Sequence, residues 1–113
     1  MTYDIRYSPE ALRDLDAVWD GVLEASGDND TADRYVNDFL EMLEGRTVAP
    51  RSGIPLYYGG LFTGFYSLTF KAYKAFYRVK DNVIEVARIL PAKSEYLRIL
   101  FDKDGVDNPK SIL

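Results

Sequence analysis

The strongest constraint on the fold is a hairpin pattern over residues 71–90. Side chains alternate with a period of two along residues 73–80, which is typical of a half-buried strand. Apolar residues resume at Val83 after Asp81 and Asn82, two residue types that suit a tight turn, so we predict a β-hairpin. Because alternate side chains share a face, its basic residues make one face cationic, namely Lys74, Arg78 and Lys80.

The first half of the chain predicts a strand followed by two helices. Residues 2–7 alternate as a strand does. Ser8 and Pro9 then form a helix start, since Ser caps and Pro fits the first helical position. That helix ends at Gly27, and residues 28–31 supply caps for a second helix that ends at Gly45. The short connection predicts an antiparallel helical hairpin.

The second half predicts the rest of an α+β domain. Residues 49–64 are rich in Gly and Pro and are predicted to be a loop carrying aromatic side chains. Residues 65–70 are predicted to form a strand, and a short helix follows Ser94. The expected domain, residues 1–101, therefore has an N-terminal strand, the helical hairpin, a three-stranded antiparallel meander forming one sheet, and a short C-terminal helix. One face of the sheet is expected to stay open, and residues 102–113 are expected to be a polar tail.

Composition excludes several classes of function. The chain has no Cys and no His, which removes disulfides, thiolate chemistry, and the usual metal ligand and neutral-pH acid or base. No metal and no cofactor are therefore expected. The N-terminus lacks a basic segment followed by an apolar run, and no apolar stretch is long enough to span a bilayer. A cytoplasmic protein with no membrane partner is expected.

The net charge of -4 is unevenly distributed. Residues 1–47 contain twelve acidic and four basic side chains, whereas residues 48–101 contain three acidic and eight basic ones. This asymmetry favours an acidic or polyanionic partner for the strand-rich part. The alternative is that the charges cover two solvated surfaces and select no partner.

Several sequence segments occur in the order and spacing of one known family. They are YDIRYSPEA at residues 3–11, Asp14-Leu15 with Trp19, Ala32 and Tyr35, residues 50–53, residues 73–78 and residues 84–97. In these segments the chain resembles the RelE/ParE superfamily of bacterial type II toxins, over about residues 3–100. The resemblance implies a small cytoplasmic toxin of a plasmid-stabilisation system. It also implies neutralisation by an antitoxin encoded beside it, in a possible hetero-oligomer.

The superfamily contains ribonucleases that cleave messenger RNA in the ribosome and toxins that block DNA gyrase. By resemblance to the ribonucleases, the candidate catalytic residues are Lys74, Arg78, Arg88, Lys93 and Tyr96. Cations would hold the scissile phosphate there, and other groups would move protons to and from its oxygens. The family's basic residues of the preceding strand are replaced by Ser67 and Thr69, however, and His is absent. A ParE-like toxin that binds gyrase is therefore the better fit.

Each candidate residue also has a structural explanation. The basic residues of the hairpin could keep an open face soluble. Tyr96 could pack as part of the last helix, and Trp19 is expected in the core. Arg88 lies in an apolar strand, where a carboxylate could pair with it, from Glu85, Glu95 or a helix. A third hypothesis is a binding module that keeps the fold without toxicity.

Overall fold

A computed structural model describes residues 3–101, so the predicted tail over residues 102–113 lies outside the described residues. The strands are β1 (Asp4–Tyr7), β2 (Ile54–Tyr58), β3 (Leu61–Phe70), β4 (Tyr73–Lys80) and β5 (Val83–Pro91). The helices are α1 (Pro9–Ser26), α2 (Asn29–Glu44) and α3 (Tyr96–Phe101), and a 3-10 turn covers Gly45–Val48. The predicted α+β fold class is confirmed.

The five strands form one sheet in the order β1-β5-β4-β3-β2. The strands β2 to β5 pair antiparallel as a meander, and β1 pairs parallel with β5. The predicted hairpin is present, with Asp81 in the left-handed conformation at φ 56° between β4 and β5. A register shift where Phe76 and Tyr77 meet Arg88 and Val86 places an extra residue in β5 at this point.

The two long helices begin where the sequence predicts. The Ser8 hydroxyl accepts a hydrogen bond from the Ala11 N–H, and the Asp28 carboxylate accepts one from the Thr31 N–H. Gly27 ends α1 in the left-handed conformation at φ 69°, which a glycine adopts without steric cost. Capping at these ends is local, so the sequence specifies it directly.

Both helices cover the same face of the sheet. Buried residues from α1, α2, β4 and β5 form the core cluster: Ala11, Leu15, Val18, Phe39, Leu43, Ala75, Tyr77, Ile84, Val86 and Ile89. On α2, Phe39 stacks on Phe70 of β3 at 4.9 Å between ring centres. Trp19 is outside this cluster, contrary to the prediction, because its indole N–H donates a 2.8 Å hydrogen bond to Asp33 at the solvated side of the helical hairpin.

The predicted loop over residues 49–64 was wrong in its second half. Residues Ile54–Tyr58 form β2, and β3 begins at Leu61 rather than at Phe65. Gly59 and Gly60 form the turn between the two strands, both with positive φ. The glycines that suggest a loop are therefore turn residues of a second hairpin, and the meander has four strands, not three.

The sheet face that was expected to stay open is partly covered, because α3 lies on the face opposite to α1 and α2. Tyr96 packs against the buried ring of Phe76 at 5.0 Å between ring centres. At the other end of α3, Phe101 stacks on Tyr58 at 5.1 Å and meets Phe65 edge-on at 6.0 Å. A six-residue helix cannot persist alone, so these aromatic contacts hold it on the sheet.

Candidate functional site

The face of the sheet under α3 carries most of the predicted site residues. Lys74 lies on β4, and its Nζ is 5.7 Å from the centre of the Tyr96 ring. This geometry fits a cation–π contact, which attracts the ammonium to the ring face. The same ring rests on Phe76, so the predicted pair Lys74 and Tyr96 is brought together with a packed side chain beneath it.

Arg78 lies on the same face of β4, next to the other end of α3. Its Nε donates a 2.6 Å hydrogen bond to Glu85 Oε1 on β5, and its guanidinium lies 5.6 Å from the centre of the Phe65 ring. The Arg78 side chain is 53% exposed, and the Glu85 side chain is 42% exposed. Water and salt therefore screen this pair strongly, and Arg78 is available to a partner at little energetic cost.

Arg88 pairs with a carboxylate of α1, whereas Arg78 pairs with one of the neighbouring strand. Its Nε and Nη2 donate hydrogen bonds of 2.7 and 3.0 Å to the two carboxylate oxygens of Asp14 on α1. The hydrogen bonds from Arg88 to Asp14 raise the pKa of the guanidinium above its ordinary value. The expected structural partner on a helix is thus present, and it is Asp14.

Lys93 lies apart from these pairs. It is exposed in the turn between β5 and α3, and none of the salt bridges found within residues 3–101 includes it. The structure therefore brings one pair of predicted residues into contact, Lys74 and Tyr96. It pairs Arg78 and Arg88 each with a carboxylate outside the predicted set, and it leaves Lys93 apart.

A cleft of about 400 Å³ lies between the start of α1, the sheet and α3. Arg78 and Arg88 both line it, and so do the carboxylates of Glu10 and Glu85. Ser8 at the N-terminus of α1 is also part of its wall. Two guanidinium groups facing two carboxylates make a mixed-charge cleft, which suits hydrogen bonding to a protein surface better than capture of a bare polyanion.

Sequence reasoning missed the acidic half of this site. Glu10 was visible as an acidic residue in the first turn of α1, but its closeness to β5 depends on the packing of α1 across the sheet. For Arg88 the sequence offered Glu85, Glu95 or an unspecified helical carboxylate, and the structure selects Asp14 of α1. Glu85 pairs with Arg78 instead. The adjacency of Ser8 to the cleft had no sequence signal beyond its role as a cap.

Two further features bear on the kind of site. Within residues 3–101, no group of three or more acidic residues is arranged to hold a metal ion. In the same part of the chain, no helix is both long enough and apolar enough to cross a membrane.

Solved structures of toxin–antitoxin systems share this fold. The chain is similar to a chain of the chromosomal ParDE TA system from P. aeruginosa, with a TM-score of 0.69 and 23% identity over 81% of this chain and 98% of that one. It is similar to a free double mutant of the E. coli toxin RelE, with a TM-score of 0.63 and 17% identity over 91% and 97%. A chain of the RelBE2 toxin–antitoxin complex of Mycobacterium tuberculosis gives 0.59 and 21% over 80% and 99%.

The sequence comparison identifies the family within the RelE/ParE superfamily. The model of the ParE toxin of type II toxin–antitoxin systems, parDE, matches residues 5–96. The chain therefore belongs to the ParE toxin family. A comparison with curated protein sequences gave no match. The structural similarities lie below 25% identity, so they establish the fold, and the family model carries the assignment.

Proposed function

We propose that this chain is a ParE-like toxin that inhibits DNA gyrase by binding to it and not by cleaving a nucleic acid. The observation that carries the proposal is the bidentate pairing of Arg88 with Asp14. The Asp14 carboxylate occupies two of the N–H donors of Arg88 and offsets its charge, so this guanidinium is less able to hold a scissile phosphate. Arg88 therefore acts as a structural tie between β5 and α1, and the ribonuclease set loses one of its cations.

The remaining candidates favour binding over proton transfer. Cleavage of RNA needs one group to deprotonate a 2′-hydroxyl and another to protonate the leaving oxygen. The chain has no His, and the Tyr96 ring is engaged between Lys74 and Phe76. Lys74 and Arg78 instead present two cations beside the apolar side chains of α3, a combination typical of protein interfaces.

The proposal includes an antitoxin partner. A chain of the RelBE2 toxin–antitoxin complex shares the fold. A toxin that acts on gyrase in the cytoplasm must be neutralised there, and a partly disordered antitoxin segment that folds on binding would do so. The toxin and its antitoxin would then form a hetero-oligomer. A small neighbouring reading frame in the genome would supply this partner.

The first test is pulse-labelling after induced expression in a bacterial host. The proposal predicts that thymidine incorporation falls first while amino-acid incorporation continues, because gyrase inhibition stops replication before translation. A catalytically inert control is not needed, since the two labels in one culture serve as each other's control. If amino-acid incorporation falls first, the ribonuclease alternative replaces this proposal, and Arg78 and Tyr96 become the residues to substitute.

The second test uses purified components. The chain, made by cell-free synthesis, is expected to inhibit supercoiling of relaxed plasmid by gyrase and to leave ribosome-bound messenger RNA intact. Absence of both gyrase inhibition and RNA cleavage would identify the chain as a binding module that retains the family's fold without toxicity.

A further inference from the structure

A second, smaller cleft lies at the end of the sheet where β1 pairs with β5. Its volume is about 220 Å³. The residues that line it come from β1, β4, β5 and the turn between β4 and β5: Arg6, Arg78, Lys80, Asp81, Val83 and Glu85. The larger cleft beside α3 is also lined by Arg78 and Glu85, so this pair is a common wall between the two clefts. Arg6 of β1 thus joins the basic residues that the β4–β5 hairpin contributes to this face.

Arg6 projects from β1 towards this cleft and away from the helices. Its neighbours Ile5 and Tyr7 pack against the core cluster on the other face of the sheet, and side chains alternate along a strand. In the sheet register, Glu85 lies opposite Arg6 on one side and opposite Arg78 on the other. The three side chains therefore form a row across β1, β5 and β4, in which one carboxylate lies between two guanidinium groups.

The cations of this cleft outnumber its carboxylates. Glu85 pairs with Arg78 at 2.6 Å, and within residues 3–101 neither Arg6 nor Lys80 belongs to a salt bridge. Both of these side chains are exposed to solvent. With Asp81 as the second carboxylate, the lining residues carry three positive and two negative charges, a net charge of +1. The cleft therefore favours a ligand group with a single negative charge.

The lining favours a carboxylate over a nucleic acid. Proteins bind nucleic acids through cations that neutralise a run of phosphates, and single strands also stack their bases on aromatic rings. The lining residues of this cleft include two carboxylates, which would repel a run of phosphates, and no aromatic side chain. A guanidinium, in contrast, binds a single carboxylate well through two parallel hydrogen bonds. One acidic side chain of a protein therefore fits the charge of this cleft.

We propose that Arg6, Lys80 and Arg78 bind a carboxylate in an acidic segment of a partner protein. Arg6 and Lys80 bind it without breaking a salt bridge of the chain. Arg78 joins them because its pair with Glu85 is exposed and therefore weak. Glu85 competes with the incoming carboxylate and limits its affinity. The common wall lets the same segment continue into the larger cleft, whose mixed charges suit a protein surface.

An NMR titration of the full chain tests the proposal. The probe is a short oligoglutamate peptide with blocked ends, so that only side-chain carboxylates carry its charge. Saturable changes in N–H chemical shifts are expected at Arg6 and Lys80, and none at Arg13, which is exposed on α1. A thymidine oligonucleotide of equal length and inorganic phosphate are each expected to bind more weakly than the peptide.

Charge variants separate this site from general attraction between opposite charges. Arg6→Glu is expected to weaken peptide binding roughly tenfold, because it places like charges together. Arg13→Glu makes the same change in net charge on α1 and is expected to bind the peptide as wild type does. Glu85→Gln removes the competing carboxylate and is expected to strengthen binding about threefold. Lys80→Glu is a second variant within the cleft, on a different strand from Arg6, and is expected to weaken binding as well.

The proposal is overturned if the peptide gives no saturable shifts at the cleft. It is also overturned if Arg6→Glu and Lys80→Glu, with spectra that show them folded, weaken binding no more than Arg13→Glu does. Tighter binding of the oligonucleotide would replace it with a nucleic-acid surface, and tighter binding of phosphate would replace it with a site for small anions. None of these measurements involves gyrase, so a failed titration leaves the proposed inhibition of gyrase to its own test.

Discussion

The carboxylate of Asp14 accepts two hydrogen bonds from the guanidinium of Arg88, 74 positions along the chain. Its Oδ2 also accepts a 2.9 Å hydrogen bond from the backbone N–H of Ile89. The parallel pairing of β1 with β5 runs from Val83 to Val86 of β5. Beyond that point, the Ile89 N–H has Asp14 as its hydrogen-bond acceptor in place of a strand carbonyl. The Asp14 side chain therefore accepts three hydrogen bonds from β5 and fixes α1 to the sheet.

Substitution of Asp14 is expected to destabilise the fold. Asp14→Asn should lower the free energy of unfolding by about 2 kcal/mol, because Arg88 would keep its charge in a mostly buried position without a counter-charge. The Asp14 and Arg88 side chains are only 13% and 25% exposed. Urea unfolding followed by circular dichroism measures the change. The matched variant Glu85→Gln breaks an exposed pair and should cost about 0.5 kcal/mol or less; equal costs for both variants would contradict this account.

Gly53 is expected to tolerate no side chain. A Cβ at this position would lie 2.5 Å from Tyr77 Oη and 2.9 Å from the carbonyl oxygen of Ser67. Gly53→Ala should therefore lower the melting temperature, at a cost of about 2 kcal/mol, as overpacking does in other cores. Gly45→Ala is the control, because nothing lies within 4 Å of its Cβ and its φ is -62°. It should raise stability by about 0.5 kcal/mol, and a loss at both positions would show that the clash is not the cause.

Two tyrosines with buried hydroxyl groups should differ in how much stability they lose when the hydroxyl is removed. Tyr77 Oη accepts a 3.0 Å hydrogen bond from the Gly53 N–H, so Tyr77→Phe should cost about 1–2 kcal/mol. The buried Tyr7 hydroxyl has no hydrogen-bond partner within residues 3–101. Tyr7→Phe should leave the free energy of unfolding within about 0.5 kcal/mol of wild type, or raise it. Thermal unfolding of both variants decides this, and a large loss in Tyr7→Phe would reveal a partner for that hydroxyl.

Tyr7 should also make the protein sensitive to alkali. Burial, with a smaller effect from Glu44, raises the pKa of Tyr7 from 10.0 to about 12. The folded state holds this proton more tightly than the unfolded state does. The contribution of protonated Tyr7 to the free energy of unfolding is therefore fully present below pH 10 and is lost as the pH rises towards 12. Between about pH 9 and about pH 11 wild type should lose about 1 kcal/mol more than Tyr7→Phe in urea unfolding. Equal losses would mean that Tyr7 ionises alike in both states.

The cationic face under α3 should matter to inhibition more than to stability. Lys74→Glu reverses a charge on that face and is expected to weaken inhibition of gyrase supercoiling by roughly tenfold or more, since like charges across an interface are costly. Arg13→Glu makes the same change in net charge at an exposed position of α1 and should inhibit as wild type does. Full inhibition by Lys74→Glu, with an unchanged melting temperature, would place the contact surface elsewhere.

The sequence alone determined the features that depend on neighbouring residues. The starts of α1 and α2 at Ser8 and Asp28 and the turn at Asp81 follow from hydrogen bonds and backbone conformations within a few positions. The α+β class follows from the same periodicities. The motif order further predicted the RelE/ParE superfamily, which the family model over residues 5–96 confirms.

Only the tertiary structure decided how distant parts meet. Residues 54–58 became a strand because β3 offers a partner for their backbone, which outweighs the loop signal of the adjacent glycines. α3 came to lie on the cationic face because Phe76 and Phe65 provide an aromatic surface that a six-residue helix needs. The choice of Asp14 for Arg88 depends on the angle at which α1 crosses the sheet. Such contacts join residues far apart in sequence, where local spacing carries no information about distance in space.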